Sequence, residues 1–155
     1  TNIGDFREPF GIPEIVQEGT DLTMVSYGST FNLCEVAVKQ LNELGISAEL
    51  IDVQTLLPFD IDHLITNSLK KTNRLMIIDE DVSSGATAFI LDRIMVEQQG
   101  YYHLDSAPLT LSAKDHRPAY GTDGDYFSKP SIDDIVEKAY GIMNEANPTD
   151  FPSIY

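Results

Sequence analysis

The alternation of short apolar runs with longer amphipathic segments constrains the fold of this chain more than any other feature. Three runs read as strands, and each is followed by a stretch with helical periodicity. A fourth strand and a last helix follow further along the chain. The strand segments are 22–26 (LTMVS), 46–53 (ISAELIDV), 74–80 (RLMIIDE) and 107–113 (APLTLSA), and the helical ones are 31–45, 61–72, 87–100 and 132–146. This order predicts an α/β sandwich around a mostly parallel sheet, with the most apolar run, 74–80, as its central strand.

Local signals indicate where the domain and its helices begin and end. Residues 1–20 contain the proline-rich stretch REPFGIPE and are predicted to be a linker from a preceding domain. Residues 21–146 are predicted to be the folded domain, and residues 147–155, NPTDFPSIY, an extended tail. Candidate helix caps are Ser29 or Thr30, Asp60 and Ser131.

The charge of the chain excludes one class of partner and favours another. The 155 residues include 25 acidic and 10 basic side chains, for a formal charge of −15. Nucleic-acid binders place Lys and Arg on phosphates, so this composition argues against them and against anionic membranes. A basic protein partner is favoured, although acidity that only aids solubility remains an equal alternative. The chain shows no leader segment and no apolar run long enough to span a membrane, which predicts a cytoplasmic protein, with the mitochondrial matrix as the alternative.

Motifs with their own chemistry are incomplete in this sequence. Neither GxGxxG nor GxxxxGK[ST] is present, and the single cysteine, Cys34, excludes a disulfide framework and a cysteine zinc site. The acidic run IIDED ends the third strand, which suits a phospho-acceptor at Asp79 or Asp81 with Lys114 nearby. The acidic pair that would hold magnesium after the first strand is missing. An independent small ligand-binding or receiver-like signalling domain therefore stays as the alternative function.

Several blocks, in order, resemble one known family. They are EGTDLTMVSYGST, GISAELIDVQTLLPFDIDHL, SLKKTNRLMIIDED…SGATAFI and LDSAPLTL. These look like the transketolase C-terminal domain that ends the β subunit of thiamine-diphosphate-dependent 2-oxo acid dehydrogenases. The resemblance runs from about Glu18 to Ala139 and departs from the family pattern in three places. Gln54 stands where the family has an arginine, and Lys114 and His116 replace a glycine and an aspartate.

The resemblance implies both a fold and a function. The fold would be a three-layer α/β/α sandwich with a five-stranded sheet, whose one antiparallel edge strand is expected near residues 117–127. The function would be the C-terminal assembly and partner-docking domain of a 2-oxo acid dehydrogenase, in a full-length enzyme that decarboxylates a branched-chain 2-oxo acid or pyruvate. Such an enzyme holds thiamine diphosphate and magnesium in its other domains. We therefore expect no catalytic, cofactor-binding or metal-binding residue in this segment, which would be inert alone.

The resemblance also implies partners and a candidate site. The partners would be the pyrimidine-binding and diphosphate-binding domains of the same enzyme, a second copy in a homodimer, and the basic subunit-binding domain of the dihydrolipoyl acyltransferase. Asp105 corresponds to the acidic residue of the family's LDAP segment, with Ser106 as a one-residue insertion. Asp105 and the C-terminal carboxylate at Tyr155 are predicted to meet arginines of the subunit-binding domain. The alternative is that Asp105 is a solvated loop residue.

Overall fold

The computed structural model describes residues 3–5, 7–117, 120–121 and 124–154. The strands are β1 (Glu14–Gln17), β2 (Leu22–Ser26), β3 (Ala48–Asp52), β4 (Leu75–Val82) and β5 (Leu109–Ala113). The helices are α1 (Gly28–Glu43), α2 (Leu64–Thr72), α3 (Ala86–Asp92), α4 (Gly124–Ser128) and α5 (Ile132–Ala146). Helix α3 continues into a π-helical turn at Arg93–Glu97, and short 3-10 helices lie at Ile3–Asp5 and Gly100–His103.

The five strands form one mixed sheet in the order β1-β3-β2-β4-β5. Strand β2 pairs in parallel with β3 and with β4, and β4 pairs in parallel with β5. Only β1 is antiparallel, and it pairs with β3. This arrangement confirms the expected mostly parallel sheet with one antiparallel edge strand. The middle strand is β2, so the expectation that residues 74–80 form the central strand was wrong.

The antiparallel edge strand lies elsewhere in the chain than expected. It is β1, where Ile15 pairs with Ile51 of β3, and it falls within residues 1–20, which the sequence assigned to a linker. That part of the linker therefore belongs to the sheet. The described residues of the segment 117–127 include the start of a helix, α4, instead of a strand. The physical reason is that β1 is held by β3, a strand more than thirty residues further along the chain. The short sequence of β1 alone carries no sign of this pairing.

Alternate side chains along the strands pack into two separate hydrophobic cores, one on each face of the sheet. Met24, Leu50 and Met76 pack on one face of the sheet with helices α1 and α5. Val25, Ile51 and Ile77 pack on the other face with α2 and α3. Because successive strand residues point to opposite faces, helices cover both sides of the sheet, as in the expected three-layer sandwich.

Of the three predicted helix caps, Ser131 is confirmed, whereas α2 begins at Leu64 with His63 as its cap residue and receives only side-chain hydrogen bonding from Asp60. Ser131 accepts a hydrogen bond from the Asp134 N–H, and the Asp134 side chain accepts one from the Ser131 N–H, which completes a capping box. The carboxylate of Asp60 accepts bonds from the N–H groups of Leu64 and Ile65. The Ser29 or Thr30 cap was wrong. Helix α1 begins at Gly28, and Ser29 Oγ donates to Glu80 at 2.9 Å instead.

The tail folds back onto the domain instead of extending away. The Phe151 N–H donates to the Asn147 carbonyl at 3.0 Å, which closes a turn directly after α5. The Phe151 ring packs against the core and lies edge-on to Tyr140. Asn144 and Tyr140 then donate to the carbonyls of Phe151 and Pro152, at 2.6 and 3.0 Å. The expectation of an extended tail was therefore wrong for the residues described, because Phe151 finds apolar surface to cover.

A buried carboxylate joins β3 to the segment before β2. Glu49 is fully buried, and its Oε2 atom accepts hydrogen bonds from the Gly19 N–H and from Lys71 Nζ. Lys71 also contacts Glu18 at 3.2 Å. A Cβ atom on Gly19 would lie 2.2 Å from the Ala48 carbonyl carbon, so only glycine fits where the two backbone segments approach.

Among the helices of the described residues, none combines the length and the apolar character that a membrane span requires.

Candidate functional site

Asp105 is held by the two residues that connect helix α2 to strand β4, Asn73 and Arg74. Its Oδ2 atom accepts a hydrogen bond from Arg74 Nη2 at 2.8 Å, and its backbone N–H donates to the Asn73 carbonyl at 3.0 Å. Half of the Asp105 side chain, 51%, stays exposed. The residue is therefore a half-exposed carboxylate held in place near the amino end of β4.

Two further polar atoms beside this ion pair lack a protein partner. Arg74 Nε and Ser106 Oγ are both buried, and neither makes a hydrogen bond within the described part of the chain. A buried donor without a partner costs about 1–3 kcal/mol, so such atoms favour contact with another polar group. Two polar atoms next to Asp105 are thus left without a hydrogen-bond partner among the described residues.

Exposed aromatic side chains precede Asp105 in the same turn of chain. Tyr101 and Tyr102 lie in the 3-10 helix Gly100–His103, with 51% and 69% exposure. Their ring centroids are 4.1 Å apart. The turn is anchored from α2, since Asn73 Nδ2 donates to the His103 carbonyl at 2.8 Å. Exposed tyrosines on a fixed support are typical of protein-binding surfaces.

The C-terminal tail reaches the same side of the molecule as the Asp105 segment. A groove of about 510 Å³ runs between the start of β5, helix α5 and the tail. Its lining includes Ala107 and Pro108, directly after Ser106, and Ser153 and Ile154 of the tail. Tyr155 itself lies outside the described residues. The structure therefore brings the tail, as far as Ile154, close to the segment that carries Asp105. This groove carries no local sequence signal, because its lining comes from segments far apart in the chain.

The carboxyl edge of the sheet holds a second, polar cleft of about 390 Å³. Here Tyr27 donates to Asp79 at 3.1 Å, and Lys129 contacts Glu80 at 2.9 Å. Burial, followed by the nearby charge of Asp79, raises the pKa of Tyr27 to about 12, while the hydrogen bond from Lys129 lowers the pKa of Glu80. Both acidic groups are thus engaged by neighbours in the fold.

This cleft does not have the arrangement of a receiver-like site. Lys114 lies with its Nζ atom 4.0 Å from the centroid of the Phe127 ring, where it forms a cation–π contact. Nucleophilic chemistry at Cys34 is equally disfavoured, because burial raises the pKa of this thiol to about 12. The geometry therefore does not favour the signalling alternative.

Side chains that could ligate a metal ion are not clustered in the described part of the chain. Within residues 3–5, 7–117, 120–121 and 124–154, no group of three or more His, Cys, Asp or Glu side chains is arranged to hold a metal. Asp125 contacts Lys129 at 3.7 Å. Magnesium and a diphosphate need free carboxylates and a cradle of backbone N–H groups.

Comparison with known proteins identifies the family. The model of the transketolase C-terminal domain matches residues 11–142, so the chain belongs to this family, and the resemblance inferred from the sequence is confirmed. The β subunit of the pyruvate dehydrogenase E1 component of Acholeplasma laidlawii is 39% identical over 111 residues, which cover 71% of this chain and 33% of that protein. The mitochondrial 2-oxoisovalerate dehydrogenase subunit beta of Dictyostelium discoideum is 35% identical over 105 residues, 67% of this chain and 28% of that protein.

A solved structure supports the fold, and the matched lengths show how much of the related proteins this chain spans. A split-gene transketolase, described as an inactive β4 tetramer, superposes with a TM-score of 0.68 at 23% identity, covering 85% of this chain and 41% of that one. This likeness concerns the fold alone. The chain spans about a third of the length of the β subunits that it matches. These relatives are β subunits of 2-oxo acid dehydrogenases.

Proposed function

We propose that this chain is the C-terminal assembly and partner-docking domain of the decarboxylating component of a 2-oxo acid dehydrogenase. In the full-length enzyme, pyruvate or a branched-chain 2-oxo acid is decarboxylated with thiamine diphosphate and magnesium held by the pyrimidine-binding and diphosphate-binding domains. The enzyme works in the cytoplasm or in a mitochondrial matrix. The names and the matched third of the related β subunits support this assignment.

One observation carries the docking role. The half-exposed Asp105 carboxylate, the tyrosine pair before it and the groove between β5 and the tail all lie along one stretch of chain, residues 101–110. This combination offers a charge, aromatic surface and an apolar recess to one partner. We propose that the partner is the basic subunit-binding domain of the dihydrolipoyl acyltransferase, with arginines that contact Asp105 and the C-terminal carboxylate of Tyr155.

The charge of the chain supports a basic partner. A formal charge of −15 attracts a basic domain over a distance of about one Debye length and speeds its association. An exposed ion pair at the rim contributes about 0–1 kcal/mol, and a desolvated one contributes more. Asp105 is already paired with Arg74, so an incoming arginine would share its carboxylate.

Substitution of Asp105 in the full-length β subunit tests this role. With Asp105→Asn, affinity for the basic subunit-binding domain should fall by about fivefold at low salt, equivalent to ~1 kcal/mol. The salt dependence of binding should become weaker, because one charge leaves the interface. Surface plasmon resonance at two salt concentrations measures both effects, and a thermal melt checks that the variant is folded.

Glu80→Gln provides a matched control. Glu80 is 43% exposed and paired with Lys129, but it lies at the opposite edge of the sheet. It should leave binding unchanged, although it removes the same formal charge. Unchanged affinity of the folded Asp105→Asn variant at low salt would contradict the assignment, as would an equal loss in Glu80→Gln.

A further inference from the structure

The C-terminal end of the chain is held on the domain by a small set of side chains. The Phe151 ring packs against the core and lies edge-on to the Tyr140 ring, with 6.0 Å between the ring centroids. The Phe151 N–H donates to the Asn147 carbonyl at 3.0 Å, and Asn144 Nδ2 donates to the Phe151 carbonyl at 2.6 Å. We name Tyr140, Asn144, Asn147 and Phe151 the tail anchor.

Two residues of the tail anchor also line the groove between β5 and the tail. Tyr140 and Asn144 belong to its lining, together with Ile154 of the tail. The Tyr140 hydroxyl donates to the Pro152 carbonyl at 3.0 Å, so the side chains that hold the tail also form the groove. Release of the tail would remove Ile154 from the lining and free the polar atoms of Tyr140 and Asn144. The groove is therefore complete only while the tail is anchored.

Anchoring of the tail is opposed by chain entropy. Residues 147–154 form a turn and irregular structure, without a helix or strand of their own. Phe151 is half-buried, whereas the other apolar side chains of this stretch, Pro148, Pro152 and Ile154, are exposed. Because each ordered residue loses conformational entropy, a segment held by so few contacts opens more readily than the core. Loss of the Phe151 ring should therefore shift the tail toward its released state.

We propose that Phe151 is a positioning residue for partner docking, which holds the tail so that the groove forms and the partner binds only the anchored chain. The inference rests on the proposed docking function and adds a conformational condition to it. Anchoring and binding are coupled in both directions, because a partner that binds only the anchored form also stabilises that form. The apparent affinity falls in proportion to the fraction of chains whose tail is anchored.

Hydrogen exchange of the 155-residue chain, followed by NMR, measures anchoring without any partner. In Phe151→Ala, the N–H of residue 151 should exchange about tenfold faster, because the apolar burial of the ring is lost. Phe151→Leu keeps an apolar side chain and should restore most of the protection. The control, Val38→Ala, removes volume from the same core but lies in α1, which does not line the groove. It should leave exchange at residue 151 within about twofold of the wild type.

Binding of the basic subunit-binding domain to the full-length β subunit measures the coupling. Phe151→Ala should weaken affinity about fivefold at both low and high salt, because the anchored fraction falls and no charge is removed. Phe151→Leu and Val38→Ala should bind within about twofold of the wild type.

Three outcomes would overturn the proposal: unchanged exchange in Phe151→Ala, equal acceleration in Val38→Ala, or wild-type affinity in a Phe151→Ala subunit whose tail is released. Failure of the wild type itself to bind would instead contradict the docking role, while hydrogen exchange still decides whether Phe151 anchors the tail.

Discussion

Glu49 is a fully buried carboxylate whose charge depends on few partners. Burial alone would raise its pKa, but hydrogen bonds from Lys71 and the Gly19 N–H hold the pKa below its ordinary value of 4.5. Lys71 responds in the opposite direction, since its hydrogen bond to Glu49 raises the pKa of the ammonium group. The ion pair between Glu49 of β3 and Lys71 of α2 therefore favours the charged form of both side chains.

Removal of Lys71 should destabilise the domain. In Lys71→Met, the apolar stem is kept but Glu49 loses its cation, so the free energy of unfolding should fall by about 2 kcal/mol. This value lies below the cost for a wholly buried pair because Lys71 is 40% exposed. Urea denaturation measures it. Lys70→Met, at the exposed neighbouring position, should change the same free energy by less than about 0.5 kcal/mol.

Glu49 should also contribute to acid unfolding. A carboxylate whose pKa is lowered in the folded state stabilises the fold above its unfolded pKa, and this contribution is lost as pH falls through the folded pKa. Urea midpoints between pH 7 and pH 3 should therefore drop less steeply in Glu49→Gln than in the wild type. Parallel curves for the two proteins would show that this carboxylate is not linked to folding.

Single residues were predictable only where their role is local. Asp105 was found from a sequence motif, yet its ion pair with Arg74 spans 31 residues and carries no local signal. The same holds for Glu49, which reads as an ordinary polar residue of a strand. Its burial follows from Gly19 and Lys71, which the fold brings to it.

At the scale of elements, the start of α5 depends on a complete capping box. Ser131→Ala removes the acceptor for the Asp134 N–H, so the free energy of unfolding should fall by about 1 kcal/mol. Chemical denaturation measures this loss, and the m-value should stay unchanged. Ser83→Ala, at an exposed position between β4 and α3, is the control and should have no measurable effect. A loss of similar size in both variants would contradict the capping role.

Four of the five strands could be read from the sequence because each is an apolar run, and three of the four lead into a segment with helical periodicity. Strand β1 could not, because it has only four residues and its pairing partner, β3, begins 34 positions after it. The order of the strands in the sheet could not be predicted from the sequence either. Both β2 and β4 are strongly apolar, so hydrophobicity alone does not decide which is central. The short helix α4 lies in a Gly- and Asp-rich stretch that locally favours a turn.

At the scale of the whole molecule, the separated 155-residue chain should not bind thiamine diphosphate. The described residues offer no free carboxylate cluster for its metal ion, and the acidic groups at the carboxyl edge are already hydrogen-bonded. Isothermal titration calorimetry with cofactor and magnesium should give no saturable heat. Binding in the low micromolar range would contradict the assembly role, and the full-length enzyme of the proposed function, with all of its domains, is the positive control.

The strand order has a consequence for synthesis on the ribosome. Strands β1, β2 and β3 are made first, and they are also adjacent in the sheet, so one edge of the sheet is complete once residue 52 has emerged. Strand β4 is then added beside β2, and β5 beside β4, so the sheet extends outward from β2. After β3, no nascent strand has to enter between two neighbours that are already paired, so the sheet grows in the direction of translation.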